Sequence, residues 1–178
     1  MDEKQRRERK WRLSQALPFA FPVIIALILV FLVSISPRFS AYSPPAAKEV
    51  TEILTRLGYA PYERTESLCN ELGIKSGVKT TVSAESGLLE IDFLQMNGTK
   101  SMITAREILC HYIESQGWGY CKTNQKGCCI MSCTSGGKHI FFVQARNTIL
   151  LIHYEDAAIA QATELLDSLG YPGAEYLQ

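Results

Sequence analysis

Apolar residues recur at helical spacing in three segments of the chain, and a glycine follows each segment at or near the point where a helix should end. This pattern predicts helices over 46–57, 101–116 and 157–169. Asp156 directly precedes the last of these segments and is expected to be its N-cap residue. Residues 59–70 show no regular spacing, so no element is predicted there.

Alternation of apolar and polar residues predicts strands elsewhere. In 88–96 the alternation places Leu89, Ile91 and Phe93 on one face and Glu90 and Asp92 on the other, which is expected to face solvent. Further strands are predicted over 78–82, 118–122, 128–133, 138–145 and 148–154. This order of elements predicts an α+β domain, with an antiparallel sheet of about four to six strands and about three helices packed on one face.

Residues 17–35 are an uninterrupted apolar run without a charge or a side-chain amide. As a helix, the run matches the ~30 Å hydrocarbon thickness of a bilayer. Basic residues outnumber acidic ones in the preceding head, and basic flanks stay on the cytoplasmic side of a membrane span. The sequence therefore predicts a single-pass anchor with a cytoplasmic N-terminus. The alternatives are a signal peptide that is removed and a helix buried in a protein core.

The expected organisation is a basic cytoplasmic tail at 1–16, a transmembrane helix at 17–36, a Pro-rich linker at 37–47 and an outer domain at 48–178. Residues 39–178 carry 11 Lys and Arg against 15 Asp and Glu. This acidic balance argues against nucleic acid as a partner, because phosphate binding needs a basic surface. The expected location is the cell membrane, and the expected partners are the lipid bilayer and other membrane proteins.

The six cysteines all lie on the predicted outer side, where an oxidising compartment and an even count favour disulfides. The spacing between Cys121 and Cys133 lacks the Cys-x2-Cys pair that is typical of zinc and thiol-redox sites. Cys128 and Cys129, as neighbours on a strand, should point to opposite faces of the sheet. Structural disulfides are therefore predicted among Cys69, Cys110, Cys121, Cys128, Cys129 and Cys133.

Asn97-Gly98-Thr99 is an N-glycosylation sequon in a predicted turn, so Asn97 is a candidate glycosylation site. No catalytic residue, metal or cofactor is predicted. The expected function is a membrane-anchored protein that presents a disulfide-supported domain outside the cytoplasm, for binding or as an accessory subunit of a membrane complex. The alternative is a thiol-redox or metal-binding protein that uses the cysteines between Cys121 and Cys133.

Overall fold

The computed structural model describes residues 42–116, 119–125 and 127–177, and it describes the side chains of all of these except 119–121. Within these residues the chain forms four α-helices, two 3-10 helices and seven strands. The helices are α1 (Ala47–Arg56), α2 (Thr65–Leu72), α3 (Thr99–Ser115) and α4 (Ile159–Leu169). The strands are β1 (Tyr62–Glu63), β2 (Val78–Ser86), β3 (Leu89–Met96), β4 (Gly119–Gln125), β5 (Cys128–Ser135), β6 (Lys138–Ala145) and β7 (Thr148–Glu155).

The seven strands form one sheet in the order β1-β2-β3-β7-β6-β5-β4, and every neighbouring pair is antiparallel. Two meanders, β1–β3 and β4–β7, meet where β3 pairs with β7. The predicted α+β class with an antiparallel sheet is confirmed. The described sheet has one strand more than the upper end of the predicted range.

Helices cover both faces of this sheet, so the prediction that they pack on one face is wrong. On the face covered by α1 and α4, which we call the α1/α4 face, Leu150 and Ile152 of β7 belong to the same buried cluster as Val50 and Leu54 of α1. On the α2/α3 face, the alternate β7 residues join the apolar side chains of α2 and α3. The physical reason is that β7 is apolar on both sides, and each apolar face of a sheet must be covered.

The segment that showed no regular spacing contains β1 and α2. Both elements are short, and polar contacts hold them, one within the segment and one to β2. The Glu63 carboxylate accepts a hydrogen bond from the Thr65 backbone N–H at 2.9 Å, at the start of α2. The Thr65 hydroxyl accepts one from the Thr81 N–H, also at 2.9 Å. This second bond satisfies a backbone donor on the part of β2 that β1 does not reach.

The last predicted helix begins later than expected, and Asp156 is not its N-cap. Asp156 opens a 3-10 turn (Asp156–Ala158), and α4 follows at Ile159. The Asp156 carboxylate instead contacts the His139 ring at 2.6 Å. Because the Asp156 carboxylate is directed towards His139 of β6, it cannot also cap the first turn of the helix.

Within the described part of the chain, no helix combines the length and the apolar content needed to cross a bilayer. The expected transmembrane helix is therefore not among the helices of the structure. The segment for which it was predicted, 17–36, lies outside the described residues, as do the tail at 1–16 and residues 37–41 of the linker.

Candidate functional site

A polar cluster interrupts the apolar α2/α3 face where β2, β3 and the start of α2 meet. Ser83 lies directly opposite Asp92 in the β2–β3 register, so their side chains share this face. Arg64 lies between β1 and α2, which brings its guanidinium over the same strands. We call this set the Arg64 cluster; its members are Arg64, Glu71, Ser83, Glu90 and Asp92.

Arg64 holds three carboxylates at once. Its Nη1 donates to Glu90 Oε1 at 2.7 Å and lies 3.9 Å from Asp92 Oδ2, and its Nη2 donates to Glu71. The Ser83 hydroxyl donates to the other Asp92 oxygen. The hydrogen bond from Arg64 holds the pKa of Glu71 below its usual value. With a single guanidinium, the cluster retains an excess of negative charge wherever its carboxyls are ionised.

Asp92 is the buried member of the cluster, with only 3% of its surface exposed. Burial raises the pKa of this carboxyl, while the hydrogen bond from Ser83 and the charge of Arg64 act in the opposite direction. The predicted face assignment of Glu90 and Asp92 is correct, but the expectation that their face is open to solvent is wrong for Asp92. The start of α2, with Arg64, covers the position.

An open cleft of about 850 Å³ lies beside the cluster, between β1, α2 and the ends of β2 and β3. Tyr62 is 41% exposed in its wall, and the Tyr62 hydroxyl donates to Glu85. The lining contains four carboxylates and one guanidinium, that of Arg64, which already holds Glu71 and Glu90. The full lining is Tyr62, Glu63, Arg64, Thr65, Glu66, Ser67, Asn70, Glu85 and Glu90.

His153 borders the Arg64 cluster on β7, directly opposite Glu90. Its ring stacks against Tyr112 of α3 with centroids 6.5 Å apart. Burial lowers the pKa of His153, so the neutral ring is favoured. His153 and Glu90 also line a smaller cavity of about 270 Å³ at the end of the sheet. A neutral imidazole beside carboxylates could transfer protons, but no serine, threonine or cysteine accompanies it among the described residues that line this cavity.

A second hydrogen-bonded group lies at the β5–β6 turn. His139 Nδ1 is 3.0 Å from the Thr134 hydroxyl, and His139 Nε2 is 2.6 Å from Asp156 Oδ1. The His139 ring stacks on Tyr154 at 4.7 Å. A Cβ at Gly137 would lie 3.0 Å from the other Asp156 oxygen, so glycine lets the carboxylate approach closely. These bonds join the β5–β6 hairpin to the end of β7, which accounts for the arrangement structurally.

The cysteines form no disulfide among the side chains that the structure describes, so the predicted disulfides are wrong for these residues. Cys128 packs on the α1/α4 face and Cys129 on the α2/α3 face, as their adjacency predicted. Cys129 and Cys133 share a face but stand four positions apart on β5, at ~13 Å. A disulfide needs Cα atoms within ~7 Å. The side chain of Cys121 lies outside the described residues.

The two other cysteines whose side chains are described lie on helices and form no disulfide either. Cys69 lies on α2, half-buried, and Cys110 is buried on α3. Burial raises the pKa of the Cys110 and Cys133 thiols, which disfavours the thiolate that redox chemistry requires. Across the described ranges, no group of three or more His, Cys, Asp or Glu side chains is arranged to hold a metal ion.

Asn97 is exposed in the turn between β3 and α3, with its backbone N–H bonded to Gly77 O at 2.6 Å. Its glycosylation stays a prediction. Sequence reasoning missed the contributions of Arg64, Glu71 and Ser83, because the first two fall in or beside the segment that showed no regular spacing. The only signal for the site was the pair of acidic residues, Glu90 and Asp92, on one strand face.

No family model matches the chain. No curated protein matches it either. A crystal structure described as a GTP binding regulator from Thermotoga maritima is similar over 71% of this chain and 90% of that chain, with 12% sequence identity and a TM-score of 0.46. A similarity this remote supports no argument about the fold or the function of the present chain.

Proposed function

We propose that this protein is a membrane-anchored binding module whose cleft beside the Arg64 cluster accepts a positively charged group of a partner. The cleft itself is the observation that supports the proposal most directly. It is a concave surface of about 850 Å³ in which carboxylates outnumber cationic groups by four to one. Concave sites with a few convergent polar groups are where proteins usually bind ligands.

The composition of the wall favours an ammonium or guanidinium group over an anion. The charge of Arg64 is already paired, because its two Nη atoms donate to Glu90 and Glu71. Glu66 and Glu85 lie in the wall and can pair with an incoming cation. The exposed ring of Tyr62 adds an aromatic face, and aromatic faces attract cations.

The anchor is proposed from the sequence of the N-terminal region. The apolar run at 17–35 has the length of a bilayer span, and the basic residues before it favour a cytoplasmic N-terminus. The domain would then face outward and meet other membrane proteins near the bilayer, as a binding partner or as an accessory subunit. A Lys- or Arg-rich segment of such a protein has the charge that the cleft favours.

The binding proposal is tested with the full chain in nanodiscs and a short fluorescent Lys/Arg peptide, followed by anisotropy at two salt concentrations. The Glu66→Gln/Glu85→Gln double variant should weaken binding, because it removes two carboxylates from the wall. The matched control, Glu107→Gln/Glu164→Gln, removes the same charge from α3 and α4 outside the cleft and should bind like the wild type. Equal weakening by both pairs, or no binding by the wild type, would refute the proposal.

The anchor is tested separately. The full chain should sediment with membranes and resist extraction by carbonate. A tag after Gln178 should be cleaved by protease added outside intact cells. Recovery of the chain in the aqueous fraction, or a tag that is accessible only from the cytosol, would contradict the proposed topology without affecting the cleft.

A further inference from the structure

Strand β1 is the outermost strand at one end of the described sheet, and it pairs with β2 through only two residues, Tyr62 and Glu63. The Thr81 N–H of β2 is directed towards the β1 side, where the Thr65 hydroxyl accepts its hydrogen bond. Backbone groups of every second residue in a strand point to the same side, so Ser83 also bonds on this side, to Tyr62 directly opposite. Glu63 therefore directs its N–H and C=O away from the sheet, where a further strand can pair with them.

Two clefts flank this edge, one on each face of the sheet. The acidic cleft beside the Arg64 cluster lies on the α2/α3 face, because Tyr62 in its wall faces the same way as Ser83 and Asp92. A second cleft, of about 340 Å³, lies on the opposite face between β1 and the start of α1. Its wall includes Val82, which belongs to the buried cluster of the α1/α4 face. Both clefts are lined by β1, which separates them.

The walls of the two clefts differ in charge. The acidic cleft contains four carboxylates, of which Glu66 and Glu85 can pair with an incoming cation. Among the described residues that line the second cleft, only Lys48 and Glu63 are charged, and their charges are opposite in sign. The rest of that lining consists of Ala, Thr, Pro, Tyr and Val residues. The first cleft therefore favours a cationic side chain and the second a small apolar one.

An extended chain presents its side chains to alternate faces. A segment that paired with the outer edge of β1 would therefore direct every second side chain towards the acidic cleft and the intervening ones towards the second cleft. Recognition by strand addition uses main-chain hydrogen bonds for affinity and pockets for alternate side chains for specificity. The edge of β1 and its two clefts supply both requirements.

Building on the proposed function, we propose that the cationic partner segment binds as an additional antiparallel strand beside β1, with Lys or Arg at every second position and small apolar residues between them. Glu63 lies opposite Val82 and shares its face, so the partner residue that bonds to Glu63 directs its side chain towards the second cleft. A second copy of this chain is disfavoured as the occupant, because pairing β1 with β1 would bring two acidic clefts together.

The test uses the full chain in nanodiscs and three fluorescent octapeptides of alternating Lys and Val, followed by anisotropy. One peptide is unmodified, one is N-methylated at its four Val residues and one at its four Lys residues, so the two methylated peptides have the same charge and composition. In the proposed strand the Val N–H groups point to β1, whereas the Lys N–H groups point outward. Methylation at Val should therefore weaken binding by about tenfold or more, and methylation at Lys should change it by less than about twofold.

Thr51→Trp tests the second cleft from the side of the protein. Thr51 lies in the α1 wall of that cleft, so a large side chain there should fill it and weaken binding of the unmodified peptide by about fivefold or more. Thr55→Trp is the matched control. Thr55 lies one turn further along the same helix, makes the same kind of hydrogen bond to the backbone and lies outside the cleft, so this variant should bind like the wild type. Far-UV circular dichroism confirms that both variants are folded.

Equal binding of the two methylated peptides, or tighter binding of the one methylated at Val, would overturn the strand-addition proposal. So would equal binding by Thr51→Trp and Thr55→Trp. The proposal for the acidic cleft would survive these results if Glu66→Gln/Glu85→Gln still weakened binding of the unmodified peptide. A wild type that does not bind the unmodified peptide would refute both proposals.

Discussion

Replacing Arg64 by alanine tests whether the guanidinium chiefly stabilises the buried carboxylate or the two exposed ones. The side chains of Glu71 and Glu90 are 52% and 41% exposed, so water screens their ion pairs with Arg64. Each such pair contributes ~0.5 kcal/mol. The Asp92 side chain is only 4% exposed, and without Arg64 it keeps Ser83 as its sole remaining partner in the cluster.

Leaving a buried polar group without its partner costs ~1–3 kcal/mol, so Arg64→Ala should lower the free energy of unfolding by about 2–4 kcal/mol in total. When Asp92→Asn is already present, no buried charge remains to be stabilised. The same Arg64→Ala change should then cost only ~1 kcal/mol, from the two exposed pairs. The difference predicts a coupling energy of about 1–3 kcal/mol between Arg64 and Asp92.

The assay is urea unfolding of the full chain in mild detergent at pH 7, followed by far-UV circular dichroism, for the wild type, both single variants and the double variant. Lys48→Ala serves as the control, because the Lys48–Glu52 pair lies on an exposed helix surface. It should change stability by less than ~0.5 kcal/mol. If Arg64→Ala costs the same amount with and without Asp92→Asn, the reasoning about the buried carboxylate is refuted.

Three further predictions use the same unfolding assay. Gly77→Ala should lower the free energy of unfolding by more than ~2 kcal/mol, because Gly77 has a φ of +96° and a Cβ there would overlap the Ser101 side chain. The matched change Gly127→Ala, at a φ of +78° with open space around the residue, should lower it by only ~1 kcal/mol. Equal costs would refute the role of the overlap. His139→Phe keeps an aromatic ring beside Tyr154 but removes both ring hydrogen bonds, and should cost ~1–3 kcal/mol; an unchanged midpoint would contradict this. Because burial lowers the pKa of His153, the unfolded chain takes up a proton at a higher pH than the folded chain does, so stability falls as the pH falls below ~6.5. His153→Gln should reduce that slope, and parallel pH profiles of variant and wild type would argue against it.

Elements with a long, regular pattern could be predicted from the sequence. The hairpin of β6 and β7 and the helices α1 and α3 agree with the predictions to within a few residues. The segment that contains β1 and α2 could not be predicted, because two residues of strand and eight of helix are too short for a period to show. These two elements depend on contacts with β2 that come from distant parts of the chain.

The candidate site could be predicted only in part, for a related reason. The alternation in β3 placed Glu90 and Asp92 on one face correctly, but whether water or protein covers that face depends on tertiary packing. The start of α2 supplies the cover, together with the guanidinium that lets a carboxylate be buried there. The disulfide prediction failed because it counted cysteines, whereas the pleat of β5 decides which thiols can meet.

The pairing of β3 with β7 has a consequence for synthesis of the chain. Each meander contains mainly local contacts, but this seam joins Leu89–Met96 to Thr148–Glu155, and the intervening polypeptide must be made before it can close. A ribosome-bound intermediate that stops before Thr148 would expose the apolar edge of β3 to other nascent chains. We therefore expect truncated products that end near Asn147 to require a chaperone and those that extend past α4 to be protease-resistant, which limited proteolysis of the released products can measure.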